Sequence, residues 1–349
     1  MIAAEWLRLF HNINNTLASI IGITANSFLT LLITKSKIPE IKDYGKILLQ
    51  IVFFDIAYSI VCILVQPMTV IIEGSNYYVE NGPFKHTSQP LNYIIFLVWF
   101  YLHFMNFFSV PIQFVYRYLV LCKSVKISNL KFLCFFIPPA VWVFCHTVFF
   151  GVTFRITGND SAVATEVLKD WFLESGETDI HLTALGKAEN FWAKMVSVEA
   201  LCAMAITYGV IFFSMFKMHR FLKKGNSKFS NKTKAMHKSF SRLLFIQSVM
   251  PVFSSIGPTF LVCYVNVVKA TLTEVAMALI FLDVWLPVTN ACFTLLVFKP
   301  FRMRIFQFLK TRDFQVFGST TYWTNGMIHP SGISGHPSRI NNDTHLSTI

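Results

Sequence analysis

The stretch PIQFVYRYLVLC, Pro111–Cys122, carries one charge, Arg117, between Tyr116 and Tyr118, at the end of an apolar run that begins near Leu91. The fold turns on which solvent surrounds that run. Of 349 residues, 54% are hydrophobic and only 14% are charged, whereas a soluble domain carries roughly 25% charged residues. Mean hydropathy is +0.53. So few charges cannot cover a water-facing surface, and the chain reads as a membrane protein with the lipid bilayer as its first partner. The formal net charge of +12 would suit nucleic acid in a soluble chain. Here the excess sits in short loops between apolar runs, where it sets topology, so no nucleic-acid partner is expected.

Working outward from Arg117, seven apolar runs reach the roughly 20 residues needed to cross about 30 Å of hydrocarbon. They lie near 15–34, 46–71, 91–116, 131–153, 194–216, 243–266 and 273–298. The expected fold class is an all-α membrane protein, a seven-transmembrane helix bundle. Pro67, Pro111, Pro138, Pro139, Pro251, Pro258 and Pro287 fall inside the runs. Neighbouring helices can satisfy the backbone groups that proline frees in lipid, so these predict kinks, not breaks.

Lysine and arginine give the direction. The loop between spans five and six holds Lys217, Arg220, Lys223, Lys224, Lys228, Lys232, Lys234, Lys238 and Arg242 and no acid. Lys35, Lys37, Lys42 and Lys46 follow span one, and Lys123, Lys126 and Lys131 follow span three. All three loops lie on one side. The opposite side carries Asp160, Glu166, Asp170, Glu174, Glu177, Asp179 and Glu189 between spans four and five. The positive-inside rule puts the basic side in the cytoplasm and the N-terminus outside.

The organisation expected is a short extracellular N-terminus (1–14), a seven-span unit (15–310) and a cytoplasmic tail (311–349). Two outer sequons, at Asn14 and Asn159, are glycosylation candidates. Within KPFRMRIFQFLK, Lys299–Lys310, the apolar side chains share one helical face flanked by basic residues. That predicts an amphipathic helix on the inner leaflet. From Gly318 onward small and polar residues dominate, and that tail is expected to be disordered.

Enzyme signatures are absent: the sequence has no glycine-rich phosphate loop, no HExxH and no GxSxG. The seven cysteines sit in or at the edges of spans without metal-ligand spacing, so no metal is expected. No lysine lies between Lys269 and Lys299, which removes a retinal Schiff base from span seven, and no cofactor is expected.

The intramembrane ionisable set is short: Asp55, His103, His146, Glu199 and Asp283. A charge at mid-bilayer costs about 2.5–3.5 kcal/mol, so such groups face the bundle interior. Asp55 reads as a hydrogen-bonding hub between helices. His103, His146, Glu199 and Asp283 are the candidate ligand contacts. Glu199, near the outer end of span five, also reads as a wet interfacial residue, and the two histidines also read as satisfied core groups.

The block Gln113–Cys122, with its YRY core, resembles the third-span end of nematode serpentine chemoreceptors of the Str superfamily (Str, Srj, Srd and relatives). The start of span two at Tyr44-Gly45-Lys46-Ile47-Leu48-Leu49, the following Asp55-Ile56-Ala57-Tyr58-Ser59 and the close of span seven into Lys299-Pro300-Phe301-Arg302 are similar to that group. The likeness covers about residues 15–310. Two features depart from the rhodopsin-like pattern: Tyr116 stands where an acid would precede the arginine, and Pro287-Val288-Thr289-Asn290 only loosely echoes NPxxY.

The resemblance implies a G-protein-coupled receptor that binds a small chemical ligand, odorants included, among the outer halves of its helices. It implies a heterotrimeric G protein as the cytoplasmic partner, with Tyr116, Arg117, Tyr118, Lys223 and Lys224 at the coupling surface, in the plasma membrane of sensory-neuron cilia. A seven-span ligand-gated channel with its N-terminus inside, or a proton-coupled transporter using Asp55, Asp283 and the histidines, are the alternative readings.

From Leu91 to Arg117 a helix climbs about 39 Å at 1.5 Å per residue, more than the hydrocarbon is thick. Arg117 is therefore expected at the inner rim with its tyrosines at headgroup level. An epitope at the N-terminus should be labelled on intact cells, and one inserted near Lys228 only after permeabilisation. The reverse pattern would overturn the topology.

Overall fold

The computed structural model describes residues 4–36, 39–158, 160–173, 182–223, 231–298 and 301–304. Asn159, Lys224, the tail from 305 and most of the expected amphipathic helix lie outside the described residues; within that helix, 301–304 are helical.

Spans one to three are the helices α1 (Ala4–Thr34), α2 (Pro39–Val65) and α3 (Leu91–Lys123). Span four is α4 (Asn129–Cys134) followed by α5 (Ile137–Thr153). A helix in the outer connection, α6 (Asp160–Leu173), precedes span five, α7 (Phe191–Lys223). Span six joins α8 (Asn231–Pro251) to α9 (Gly257–Val268), and span seven joins α10 (Thr273–Asp283) to α11 (Leu286–Val297). Among the described residues, six helical spans are long and apolar enough to cross a membrane, and α10 with α11, bent by 40°, makes a seventh.

The bundle carries a three-stranded antiparallel sheet that the hydropathy pattern did not reveal. It is formed by β1 (Pro67–Ile72), β2 (Ser75–Glu80) and β3 (Leu182–Gly186), in that order. Span two was expected to run to residue 71 but ends at Val65, because Gln66 turns the chain at φ 45° and Pro67 opens the strand. A six-residue apolar run is ambiguous between helix and strand by composition alone. Here the two-residue turn Glu73–Gly74, with φ of 48° and 77°, closes a tight hairpin, and such primed turns match the strand twist. Met68, Val70 and Ile71 are fully buried, and they pack with Val265, Ala276 and Met277 of spans six and seven. Thr273 at the start of α10 both accepts from the Ile71 N–H (3.1 Å) and donates to the Ile71 carbonyl (2.9 Å), seating the hairpin on span seven.

The prolines do more than kink. Pro111 sits inside an unbroken α3. Span four is interrupted at Phe135–Phe136 before Pro138, and span seven at Val284–Trp285 before Pro287. After Pro251 the chain passes through one π-helical turn, Val252–Ile256. Each proline removes an N–H from the helical ladder, and the wide turn absorbs the mismatch, a device common at functional sites.

Span one begins at Ala4, well before residue 15, and buries Arg8, His11 and Asn15. Asn14 therefore lies inside a helix rather than in a free N-terminal segment. Its Oδ1 accepts from the Trp285 Nε1–H at 2.9 Å, and its Nδ2 lies 3.5 Å from the Phe281 carbonyl oxygen.

The hairpin leaves span two by a close backbone crossing at Gly82. The Gly82 N–H donates to the Val65 carbonyl at 3.1 Å, and a Cβ there would stand 2.2 Å from the Leu64 carbonyl oxygen. Gly209, on an exposed helical face, has nothing within 4 Å of the same position. Gly82→Ala should lower thermal stability in detergent by about 1–3 kcal/mol. Gly209→Ala should be neutral or stabilising by up to about 1 kcal/mol. Equal effects at the two sites would refute the crossing.

Candidate functional site

Beneath the sheet lies a cavity of about 120 Å³. Thr69, Ile71 and Tyr78 of the hairpin close it on one side. Span three contributes Trp99, Phe100, His103 and Phe104, span four His146 and Phe150, span five Ser197 and Ala200, span six Ser254 and Ser255, and span seven Asp283. The local irregularities of the fold deliver several of these groups. The π-helical turn carries Ser254 and Ser255 inward, and the break after α10 comes directly after Asp283.

Of the four candidate ligand contacts, the structure brings three to the wall: His103, His146 and Asp283. Glu199 is not part of the lining. It lies behind His146, its Oε2 2.5 Å from His146 Nδ1, with its side chain 37% exposed. His146 itself is buried between Phe100 and Trp142, stacked on the latter at 5.0 Å between ring centroids. Asp283 Oδ2 accepts a short hydrogen bond from the Tyr58 hydroxyl and lies 3.1 Å from His103 Nδ1.

One turn from Tyr58 on the same helix, Asp55 is fully buried. Its Oδ1 accepts from Asn106 Nδ2 of span three at 3.2 Å and from Asn290 Nδ2 of span seven at 3.1 Å. The Asn290 carbonyl accepts from Gln247 Nε2 of span six at 3.2 Å, and the same amide donates to Thr294 Oγ1 at 3.1 Å. Polar contacts thus run from the cavity wall to Tyr58 on α2, and from Asp55 on the same helix through Asn290 to α8.

Two turns before Gln247, Phe240 and Ser241 meet Arg117. The guanidinium lies 4.8 Å from the Phe240 ring centroid and 5.4 Å from that of Tyr44, and Nη1 donates to Ser241 Oγ at 3.1 Å. The two rings are themselves stacked at 4.7 Å. The expectation of a solvated arginine at the inner rim is corrected here: Arg117 is 0% exposed. Length along one helix places a residue in depth, but tertiary packing decides whether water reaches it. Tyr116 is also buried, edge-on to Phe132, and Tyr118 is half-buried against Phe213. The Tyr116 ring is thus inside the protein, whereas Tyr118 keeps part of its ring exposed. Lys223 is exposed as the last residue of α7.

In the outer cap, Lys187 Nζ pairs with Asp160 Oδ1 at 2.7 Å and holds that carboxyl below its ordinary range. Burial without a hydrogen-bond partner pushes the Glu80 carboxyl up to about 8.

The signal missed in the sequence was the uncharged set. Asn106, Asn290, Gln247 and Tyr58 stand in apolar runs as Asp55 and Asp283 do, but the cost argument singles out charges. Listing every carboxamide within a span would have found the partners of Asp55.

A model of the serpentine type 7TM GPCR chemoreceptor Srd family matches residues 11–307. The chain belongs to the Srd family of serpentine chemoreceptors. It is 21% identical over 244 residues to serpentine receptor class delta-33 of Caenorhabditis elegans, covering 68% of this chain and 69% of that protein. In three dimensions this Srd chain resembles squid rhodopsin with a TM-score of 0.58 and 11% identity, over 88% of this chain and 86% of that one, a likeness that shows the fold alone. The Srd chain is thus a multi-pass membrane protein with the fold and family of a receptor, not of an enzyme.

A buried donor left without its acceptor costs about 1–3 kcal/mol. Asp55→Ala strands the amides of Asn106 and Asn290, and should lower stability in detergent by about that much and reduce surface expression. Asp55→Asn, which keeps one acceptor oxygen, should lose less. Equal melting of the wild type and the alanine variant would refute the hub.

Proposed function

We propose that this protein is a chemosensory G-protein-coupled receptor of the plasma membrane, placed in sensory-neuron cilia, whose small-molecule ligand occupies the cavity beneath the hairpin. The observation that carries the reading is a pair of polar linkages joined by α2: Asp283 bonds Tyr58, and Asp55, one turn away on the same helix, bonds Asn290, whose carbonyl accepts from Gln247 on the helix that also holds Ser241 against Arg117. A ligand moves a conformational equilibrium only by its differential affinity for the two states. Contact with Asp283 or His103 changes the partners of Tyr58, and the altered hub repositions span six against span three.

The inner end is then a latch. Arg117 is held by Ser241 and the Phe240 and Tyr44 rings, without the acid that follows the rhodopsin-like pattern. Swinging span six outward withdraws Ser241 and Phe240 and frees the guanidinium, whose fixed array of donors then meets the docking segment of a heterotrimeric G protein. Tyr116 and Tyr118 set the depth of that crevice, and Lys223 at the end of α7, followed in sequence by Lys224, supplies basic charge beside it.

Arg117→Ala should reach the cell surface and lose ligand-dependent G-protein activation. The double variant Phe240→Ala/Ser241→Ala should instead raise activation without ligand. A latch worth about 1.4 kcal/mol gives about a tenfold larger open population when removed. Unchanged signalling in Arg117→Ala, measured by nucleotide exchange across a panel of Gα subunits, would overturn the coupling role.

A further inference from the structure

The cavity's polar atoms are unevenly matched. Asp283 is only 5% exposed; its Oδ2 is taken by Tyr58 and His103, while Oδ1 is buried with no hydrogen-bond partner. His146, 2% exposed, commits Nδ1 to Glu199 and leaves Nε2 buried and unpartnered. An imidazole that donates from Nδ1 to a carboxylate presents Nε2 as an acceptor when neutral. Ser254 Oγ, carried in by the π-helical turn, is a third buried atom without a partner. Asp283 Oδ1 and His146 Nε2 are acceptors, Trp99 Nε1 in the same lining is an unpartnered donor and the Ser254 hydroxyl can act as either, so a ligand that meets Asp283 and His146 must bring its own donor. Each such buried acceptor costs about 1–3 kcal/mol until something donates to it.

Size and lining narrow the class. The volume of about 120 Å³ is near that of the engineered apolar cavity of about 150 Å³ that accepts benzene. Trp99, Phe100, Phe104 and Phe150 supply an aromatic lining, and aromatic faces attract cations, more strongly when desolvated. An alkylamine has a basicity close to that of lysine, about 10.4, and enters as an ammonium.

We propose that the cavity takes a compact protonated primary amine of about six heavy atoms, its ammonium donating to Asp283 Oδ1 and its hydrocarbon lying among the aromatic rings. This rests on the cavity being the ligand site. An alcohol would also donate to the carboxylate, but only the ammonium adds an ion pair in a desolvated site and the attraction of the aromatic faces for a cation, which separates the amine from an alcohol of the same shape.

The test uses the full-length receptor in lipid nanodiscs, with calorimetric titration of isopentylamine and of isopentanol. The amine should bind at least about tenfold more tightly. Asp283→Asn should lower amine affinity at least about tenfold and alcohol affinity by a smaller factor, since only the amine loses an ion pair. Ala200→Phe, which fills the cavity from span five, should abolish binding of both. If the wild type binds the two alike and Ala200→Phe abolishes both, the amine proposal is overturned while the ligand site stands. If Ala200→Phe leaves both affinities unchanged, the site itself is wrong and the proposal falls with it. The wild-type comparison decides even if Asp283→Asn fails to fold, and absence of amine binding at millimolar concentration also overturns the proposal.

Discussion

Asp55 is the constraint on which the helix bundle turns. A carboxyl at this depth has no water to meet, so its oxygens must be satisfied by other helices, and Asn106 and Asn290 supply the donors. Three spans are thereby fixed in register at one point. Hydrogen bonds between membrane helices average only about 0.6 kcal/mol each, so the hub does not hold the bundle by strength alone. Its effect is specificity: apolar helices in lipid slide and rotate against one another at little cost, and a shared carboxyl group allows one arrangement.

The rest of the structure arranges itself around that point. On the outer side the core is aromatic, with Phe96, Phe100, Phe104 and Phe150 among its buried members, and the cavity opens where the π-helical turn and the break in span seven interrupt regular packing. On the inner side the core is mainly aliphatic and contains Tyr44, Ile47, Leu48, Leu243 and Leu244 around Arg117. Helical irregularities and polar contacts concentrate between the two cores, at the π-helical turn, the break in span seven and the Asp55 hub.

The sheet has a related role. A loop that simply crossed the mouth of the bundle would leave backbone groups exposed over an apolar interior. The β1–β2 hairpin pairs its own backbone, accepts β3 as a third strand, and lays Thr69, Ile71 and Tyr78 over the cavity. Its seat on span seven through Thr273 links the cavity's roof to the helix that carries Asp283. None of the seven cysteines is paired in a disulfide, so strand pairing does the tethering of the outer connection.

The number of spans and the family resemblance were legible in the sequence, because hydrocarbon thickness acts on each segment alone. Asp55, His103, His146 and Asp283 stood out for the same reason: a charge within an apolar run is visible without knowing its neighbours. The tertiary structure alone decided the rest. It turned 67–72 from the end of a helix into a strand, because burial against spans six and seven, not composition, separates the two. It placed Glu199 behind His146 instead of in the wall, and drew Asn14 into helix packing. It also buried Arg117 beneath Phe240, some 120 residues away in the chain, because side chains from distant helices determine whether a charge at a given depth meets water, headgroups or protein.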